Sequence, residues 1–136
     1  MRPFHLAFPV TDLDAARRFY TGVLGADPGR AAPTWQDFDL YGHHLSAHRV
    51  TNMPPPAGAG EVDGVAVPLP HFGLVLPWHE WEALAARIAD SDTDFLLAPM
   101  VRFADASGEQ GTFFIKDPAG NALEFKAFRR PTEAFA

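Results

Sequence analysis

The stretch DPAGNALEF, residues 117–125, is a turn followed by a strand that carries one charged residue. Asp-Pro and Gly-Asn are turn-forming pairs, and the alternation of apolar residues after them predicts a strand. Leu123 and Phe125 point to one face of that strand, which we expect to pack on helices. Glu124 lies between them and points to the other face. A carboxylate at this place in a core strand indicates that the second face binds something.

The rest of the chain reads as two copies of one pattern. The first half has a strand at 3–10, a helix at 11–25 capped by Thr11, and strand-like segments on either side of Gly42. The second half has a strand at 70–76 and a helix that begins near Pro77. Its remaining segments predict further strands: DFLLAPMVRF, QGTFFIKD and NALEFKAF. Each half is therefore predicted to be a β-α-β-β-β module.

These segments predict an α+β fold in a single domain of two βαβββ modules. Module one covers about residues 1–50, and module two about residues 69–128. Residues 51–68 are rich in Pro and Gly and are predicted to be a linker or loop. Residues 129–136 form a C-terminal tail. The length of 136 residues is enough for one domain with a real core.

Composition narrows the class of partner. The net charge of -6 argues against a nucleic-acid partner. The chain has no cysteine, which excludes disulfides, thiolate metal ligands and cysteine nucleophiles. No apolar run is long enough to span a membrane, and the N-terminal stretch MRPFHLAFPV does not predict a signal peptide. We therefore expect a cytoplasmic protein whose partner is a small molecule.

Two histidines occupy equivalent places in the repeat. His5 stands near the start of the first strand of module one, and His71 near the start of the first strand of module two. Each shares a strand face with a small residue, Ala7 or Gly73, which leaves space beside the imidazole. If the halves pack as related copies, both histidines converge with Glu124. Two histidines and one carboxylate form a ligand set for non-haem Fe(II), and also for Mn, Ni, Co or Zn.

Three segments carry a resemblance to a known family: FHLAFPVTDLDAARRFYTGVLG, PHFGLVL and DPAGNALEFKAF. In them the chain resembles the vicinal oxygen chelate superfamily, which includes glyoxalases, bleomycin-resistance proteins and extradiol dioxygenases. The resemblance implies a curved mixed sheet of two βαβββ modules around a metal cleft. It also implies metal ligands at His5, His71 and Glu124, on the first strands of the two modules and the fourth strand of module two.

The fourth strand of module one distinguishes branches of that family. Aligning Gly42 with Gly120 places Ser46 opposite Glu124, so this position has no carboxylate. Three ligands resemble the dioxygenase branch. His44 and His48 flank Ser46 on the same face, and each is a candidate for a fourth metal ligand or for an acid/base residue.

Together with this ligand set, the resemblance implies a metal-dependent enzyme, dioxygenase-like, with Fe(II) as the favoured metal. It would bind the neighbouring oxygen atoms of a small substrate. Two alternatives stay open. One is a glyoxalase- or isomerase-like enzyme that uses a fourth histidine ligand. The other is a non-catalytic protein that binds a drug or metabolite, as bleomycin-resistance proteins do. The family resemblance also implies a possible homodimer.

Overall fold

The computed structural model describes residues 2–136 and divides them into two compact units. The first unit contains the residues up to Pro55 together with Asp117–Asn121. The second unit contains Pro56–Lys116 and Ala122–Ala136. Each unit has its own sheet and its own helix, so each is described separately below.

The first unit contains one mixed sheet of four strands. Its elements follow one another in the order β1 (His5–Val10), α1 (Leu13–Arg17), a π-helical segment (Arg18–Val23), β2 (Asp27–Ala32), β3 (Trp35–Leu40) and β4 (His43–Arg49). Across the sheet the order is β1-β4-β3-β2, with β1 parallel to β4 and the other neighbours antiparallel.

The helix of the first unit is capped by Asp12, whose side chain accepts a hydrogen bond from the backbone N–H of Ala15. The predicted cap, Thr11, is therefore wrong by one residue. A carboxylate at the cap has the advantage of its charge, because the N-terminal end of a helix carries a partial positive charge. Phe19 and Tyr20 of the π-helical segment are buried, and Gly25 ends the helical run at a φ of 76°.

The second unit repeats the same order of elements after a two-stranded hairpin. It consists of β5 (Gly58–Val62), β6 (Val65–Leu69), β7 (Phe72–Val75), α2 (Trp78–Ala89), β8 (Phe95–Arg102), β9 (Gln110–Lys116), β10 (Ala122–Phe128) and a short 3-10 turn (Pro131–Glu133). Its four-stranded sheet has the order β7-β10-β9-β8, with β7 parallel to β10.

One face of α2 holds this unit's core together. Trp81, Leu84 and Ile88 recur at helical spacing and are buried. The indole Nε1–H of Trp81 donates to the backbone carbonyl of Phe125 at 2.9 Å, which fixes the ring over β10. The predicted α+β architecture with two βαβββ modules is thus confirmed. The single-domain division with its proposed boundaries stays a prediction.

Two segments differ from the sequence prediction. Residues 58–69 form the hairpin β5–β6, and all but the last of them fall in residues 51–68, which were predicted to be a linker or loop. Its turn uses Asp63 and Gly64, both with positive φ, which is typical of tight hairpins. The strand β2 carries the sequence DPGRAA, which lacks any apolar alternation, so the sequence does not locate it. Among residues 2–136, no helix has the length and apolar character needed to cross a membrane.

Candidate metal-binding and catalytic site

In the second unit, His71 and Glu124 face each other across two parallel strands. Glu124 lies on β10 and pairs with Gly73 of β7, and His71 immediately precedes β7. The imidazole Nε2 of His71 lies 3.4 Å from Oε1 of Glu124. The side chains are 22% and 16% exposed, so solvent screens their interaction only in part. The structure therefore brings together two of the three predicted metal ligands.

The other atoms of both side chains are held by neighbours. Thr112 Oγ1 donates a hydrogen bond to Glu124 Oε2 at 2.7 Å. The Nδ1 of His71 lies 2.9 Å from the backbone carbonyl oxygen of Pro68, in β6. The ring of Phe114 stands edge-on to the imidazole, with centroids 5.0 Å apart. One oxygen of the carboxylate and one nitrogen of the imidazole are thus left for a ligand.

The hydrogen bond to Pro68 decides which nitrogen of His71 carries a proton. A carbonyl oxygen only accepts, so Nδ1 must donate. In the neutral imidazole Nε2 then has a lone pair, and that lone pair faces the carboxylate oxygen of Glu124. Two electron-rich atoms at this distance repel each other unless a cation lies with them. A second proton on His71 or a divalent metal ion would supply that positive charge, so this pair fits a metal.

The role predicted for Gly73 is corrected by the structure. The sequence interpretation assigned its small size to space beside His71. A Cβ at this position would instead collide with the backbone carbonyl group of Glu124 on the neighbouring strand. The missing side chain therefore allows β7 to approach β10, and this approach places His71 beside Glu124.

In the first unit, a chain of hydrogen bonds crosses three neighbouring strands. The Nδ1 atoms of His5, on β1, and His44, on β4, are 2.7 Å apart. The Nε2 of His44 lies 3.2 Å from Oδ2 of Asp37 on β3. The register places His5 directly beside His44, which explains why the two rings meet. Asp37 is partly buried, with 14% of its side chain exposed.

The remaining histidines near this sheet have separate roles. His48 Nε2 lies 3.1 Å from the hydroxyl oxygen of Ser46, away from the His5–His44 contact. Ser46 is buried and pairs with Ala7, just as Glu124 pairs with Gly73 in the second unit. The register thus agrees with the alignment of Ser46 and Glu124 made from sequence.

His43 Nδ1 accepts a hydrogen bond from the N–H of Phe4, which is a structural role.

Next to the hydrogen bonds between His5, His44 and Asp37, the first unit has a cavity of about 360 Å³, a volume suited to a small molecule. Asp37 and His44 form part of its wall. The other lining residues are Pro3, Gly29, Arg30, Phe38, Asp39, Gly42 and His43.

The complete predicted ligand set stays a prediction. Within residues 2–136, no three or more side chains of His, Asp or Glu form a group that could hold a metal ion as they stand. His5 and the pair His71–Glu124 belong to different units, and each is supported by contacts within its own unit. The roles predicted for His44 and His48 are likewise untested.

Sequence reasoning missed two residues that contact the predicted ligands through hydrogen bonds. Asp37 lies in WQDFDLYG, where the alternation already placed it on the face opposite the buried Gln36 and Phe38. Thr112 lies two residues before Phe114 in QGTFFIK, on the same face. Both were visible as polar positions in predicted strands. The diagonal pairing that brings them to their partners depends on strand register, which the sequence alone does not determine.

The DPAGN turn is structural, as its composition indicated. Asp117 is buried, and its Oδ1 accepts hydrogen bonds from the backbone N–H groups of Ala119 and Asn121. Its Oδ2 accepts from the hydroxyl of Tyr20 at 2.8 Å and from the Asn121 amide. Burial, with the nearby negative charge of Asp117 and their hydrogen bond, raises the pKa of Tyr20 well above its usual value. Tyr20 is thus a neutral hydrogen-bond donor to this turn.

Comparison with known proteins agrees with this architecture. Residues 2–125 match the family model described as the Glyoxalase/Bleomycin resistance protein/Dioxygenase superfamily. A search of curated proteins gave no significant match.

Solved structures share the fold over nearly their whole lengths. A glyoxalase/bleomycin resistance protein/dioxygenase from Alicyclobacillus acidocaldarius is 29% identical, with a TM-score of 0.82, and the match covers 98% of this chain and 96% of that one. The fosfomycin resistance protein FosX from Listeria monocytogenes is 13% identical, with a TM-score of 0.69 and 93% of each chain covered. TioX from Micromonospora sp. ML1 is 14% identical, with a TM-score of 0.68 and coverage of 93% and 98%. The last two similarities show the fold alone.

Proposed function

This chain belongs to the Glyoxalase/Bleomycin resistance protein/Dioxygenase superfamily, and we propose that it is a metal-dependent, dioxygenase-like enzyme. Its substrate would be a small molecule with two neighbouring oxygen atoms. His5, His71 and Glu124 are the proposed ligands of one divalent metal ion. Fe(II) is the favoured ion, and Mn, Ni, Co and Zn suit the same donor types.

The observation that carries this proposal is the contact between His71 and Glu124. The carbonyl of Pro68 fixes the proton of His71 on Nδ1, and the lone pair on Nε2 faces a carboxylate oxygen 3.4 Å away. Thr112 holds the second oxygen of that carboxylate. Such outer contacts orient ligands in metal sites, where the second nitrogen of a histidine commonly donates to a carbonyl or carboxylate.

The number of ligands favours the dioxygenase-like reading over the glyoxalase-like alternative. A four-ligand site would need one more donor from β4. Ser46 occupies the position equivalent to Glu124, and its hydroxyl contacts His48. Both ring nitrogens of His44 already have partners, in His5 and Asp37. A set of two histidines and one carboxylate leaves positions open for substrate and dioxygen.

These contacts indicate the role that each residue would have in the reaction. When bound, the metal would act as a Lewis acid toward the neighbouring oxygen atoms of the substrate. Glu124 would offset part of its positive charge, and Thr112 would keep that carboxylate in one orientation through its hydrogen bond. Pro68 would keep the proton of His71 on Nδ1, so that the imidazole binds through Nε2.

The first experiment measures metal content and affinity. Protein purified without a metal-affinity tag is analysed for elements, and Fe(II), Mn(II), Ni(II) and Zn(II) are titrated into the metal-free protein by calorimetry. The variant Glu124→Gln keeps the size of the side chain but removes its charge, and we expect at least a hundredfold loss of affinity. Glu82→Gln, on the exposed face of α2, is the matched control and should bind like the wild type.

Three outcomes separate the candidate functions. One metal per chain, lost in Glu124→Gln, together with oxygen uptake when catechol is added to the Fe(II) form, supports the dioxygenase-like enzyme. A bound metal with no oxygen uptake from a panel of catechols favours the isomerase-like alternative. A protein that takes up none of the four ions overturns both, and leaves the drug- or metabolite-binding protein as the better reading.

Two further properties belong to this proposal. We expect a cytoplasmic location, which fractionation of cells expressing the native gene would test. We also expect a homodimer, because members of this superfamily often form dimers. Sedimentation velocity at micromolar concentration measures this, and a sedimentation coefficient of a 14.9 kDa particle would contradict it.

A further inference from the structure

We propose that Asp37 and His44 are positioning residues that hold His5 in the tautomer with its proton on Nδ1. The consequence is that Nε2 of His5 has a lone pair available for a ligand. The function of this tautomer rests on the proposed metal site. The tautomer itself does not, because it can be measured on the metal-free protein.

The direction of each hydrogen bond follows from the chemistry of the end group. An ionised carboxylate only accepts, so the contact between Asp37 Oδ2 and His44 Nε2 requires His44 to donate. A neutral imidazole has one N–H, so the Nδ1 of His44 is then an acceptor. His5 Nδ1 lies 2.7 Å from it and must supply the proton. The Nε2 of His5 is therefore left without hydrogen.

The sheet explains why these three side chains meet. β4 lies between β1 and β3, and side chains two residues apart on a strand share a face. His5 pairs directly with His44, and Asp37 pairs with Ser46, two residues further along β4. Asp37 and His44 are therefore diagonal neighbours on adjacent strands, and the imidazole of His44 is long enough to bring its Nε2 to the carboxylate.

The two predicted histidine ligands reach the same state by different means. His71 donates its Nδ1–H to a backbone carbonyl, which no side-chain substitution removes. His5 depends on a relay of two side chains that ends in a carboxylate. The tautomer of His5 should therefore be sensitive to mutation at Asp37, whereas the tautomer of His71 should not.

Asp37→Asn is the decisive variant, because an amide can donate where a carboxylate cannot. If its NH2 group donates to His44 Nε2, the proton of His44 moves to Nδ1 and is donated to His5. The proton of His5 then moves to Nε2. An equivalent exchange of carboxylate for amide disturbs the histidine tautomer of the Ser-His-Asp triad. The control is Asp27→Asn, an exposed carboxylate of β2 in the same sheet with the same change of charge.

The measurement is long-range 15N–1H correlation NMR on metal-free protein labelled at histidine, at a pH of about 8.5. The two ring nitrogens of a neutral histidine differ in 15N shift according to which one is protonated. We expect the Nδ1–H tautomer for His5 in the wild type and in Asp27→Asn, and the Nε2–H tautomer in Asp37→Asn. His71 should keep the Nδ1–H tautomer in all three proteins. A wild-type His5 protonated on Nε2 would overturn the inference. So would an unchanged His5 tautomer in both Asp37→Asn and Asp37→Ala, because alanine offers His44 Nε2 no acceptor.

Metal affinity provides the second readout. Loss of an outer contact of this kind typically weakens metal binding by about 10- to 100-fold, so we expect that loss in Asp37→Asn and less than about a twofold change in Asp27→Asn. If the wild type binds no metal but the tautomers behave as stated, the proposed function fails and the positioning roles stand. If metal binds and the tautomer of His5 does not respond, the positioning roles fail and the function stands.

Discussion

The two sheets share strand order and register, yet they place their carboxylates differently. In the first unit the carboxylate is Asp37 on the third strand of the module, and it reaches His5 only through His44. In the second unit the carboxylate is Glu124 on the fourth strand, directly beside His71. One order of strands therefore supports two arrangements around an equivalent histidine, which differ in the strand that carries the carboxylate.

The parallel strand pairs β1–β4 and β7–β10 also differ, because only the second needs a residue without a side chain at its point of contact. Ala7 pairs with Ser46 and has its Cβ, whereas Gly73 pairs with Glu124 and has none. A Cβ on Gly73 would meet the backbone of Glu124, and a backbone atom cannot move aside as a flexible side chain can. The second unit thus tolerates less change at this position than the first.

The largest effect should follow from Gly73→Ala. The added Cβ must separate β7 from β10, and overpacking against a backbone costs about 3 kcal/mol or more of unfolding free energy. Urea unfolding followed by circular dichroism measures this cost. Ala7→Gly is the matched change in the first unit and should cost only about 0.5–1 kcal/mol, through backbone entropy. Equal losses in both variants would contradict the distinction between the strand pairs.

A second difference concerns the buried aromatic residue that each unit anchors by a hydrogen bond. The Tyr20 hydroxyl donates to the Asp117 carboxylate, and the Trp81 indole donates to the carbonyl of Phe125. Tyr20→Phe removes a buried hydrogen bond to a charged group, which should cost about 2 kcal/mol at pH 7. Urea unfolding of the variant and the wild type at neutral pH measures that difference.

The pH dependence separates the two anchors, because only tyrosine titrates. Burial and Asp117 raise the pKa of Tyr20 in the folded protein, so the unfolded chain loses this proton first. The stability from Tyr20 is therefore complete below its usual pKa of about 10 and falls as the pH rises above it. At about pH 10.5 the gap between wild type and Tyr20→Phe should narrow by about 0.8 kcal/mol. Trp81→Phe should show a gap that does not change with pH.

A third prediction concerns the hydroxyl that orients Glu124. Thr112→Val keeps the shape of the buried side chain but removes the donor to Oε2. Because outer contacts fix the orientation of ligands, we expect about a tenfold loss of metal affinity, measured by calorimetry. Thr21→Val is the control, since the Thr21 hydroxyl bonds only locally, to the carbonyl of Arg17. An unchanged affinity in Thr112→Val would show that Thr112 does not orient the carboxylate.

The sequence predicted the modules well because their signals are local. Period-two alternation located the strands around Glu124 and His5, and helical spacing located α2. The segments that it missed lack such a signal. DPGRAA forms β2 through pairing with β3, and the Pro- and Gly-rich stretch forms a hairpin through turn residues with positive φ.

The candidate site was predictable only in part, for a related reason. Ligand-type residues are visible in a sequence, and repetition indicated which of them were equivalent. Their partners depend on register and on diagonal neighbours, so the contact of Asp37 with His44 was not visible. The glycine at position 73 was visible in the sequence. The reason it is needed, the close approach of the Glu124 backbone, appears only when β7 and β10 are paired.

The smallest expected effect concerns the start of α1, where the cap prediction was wrong by one residue. The N-cap residue of α1 is Asp12, whose carboxylate accepts from the N–H of Ala15, whereas the N-cap residue of α2 is Pro77, which has no hydrogen-bonding side chain. Asp12→Ala should cost about 1 kcal/mol of unfolding free energy in urea. Thr11→Ala should cost much less, because the hydroxyl is not the cap. A larger loss in Thr11→Ala than in Asp12→Ala would restore the original assignment and would show that the charge of Asp12 contributes little at this helix end.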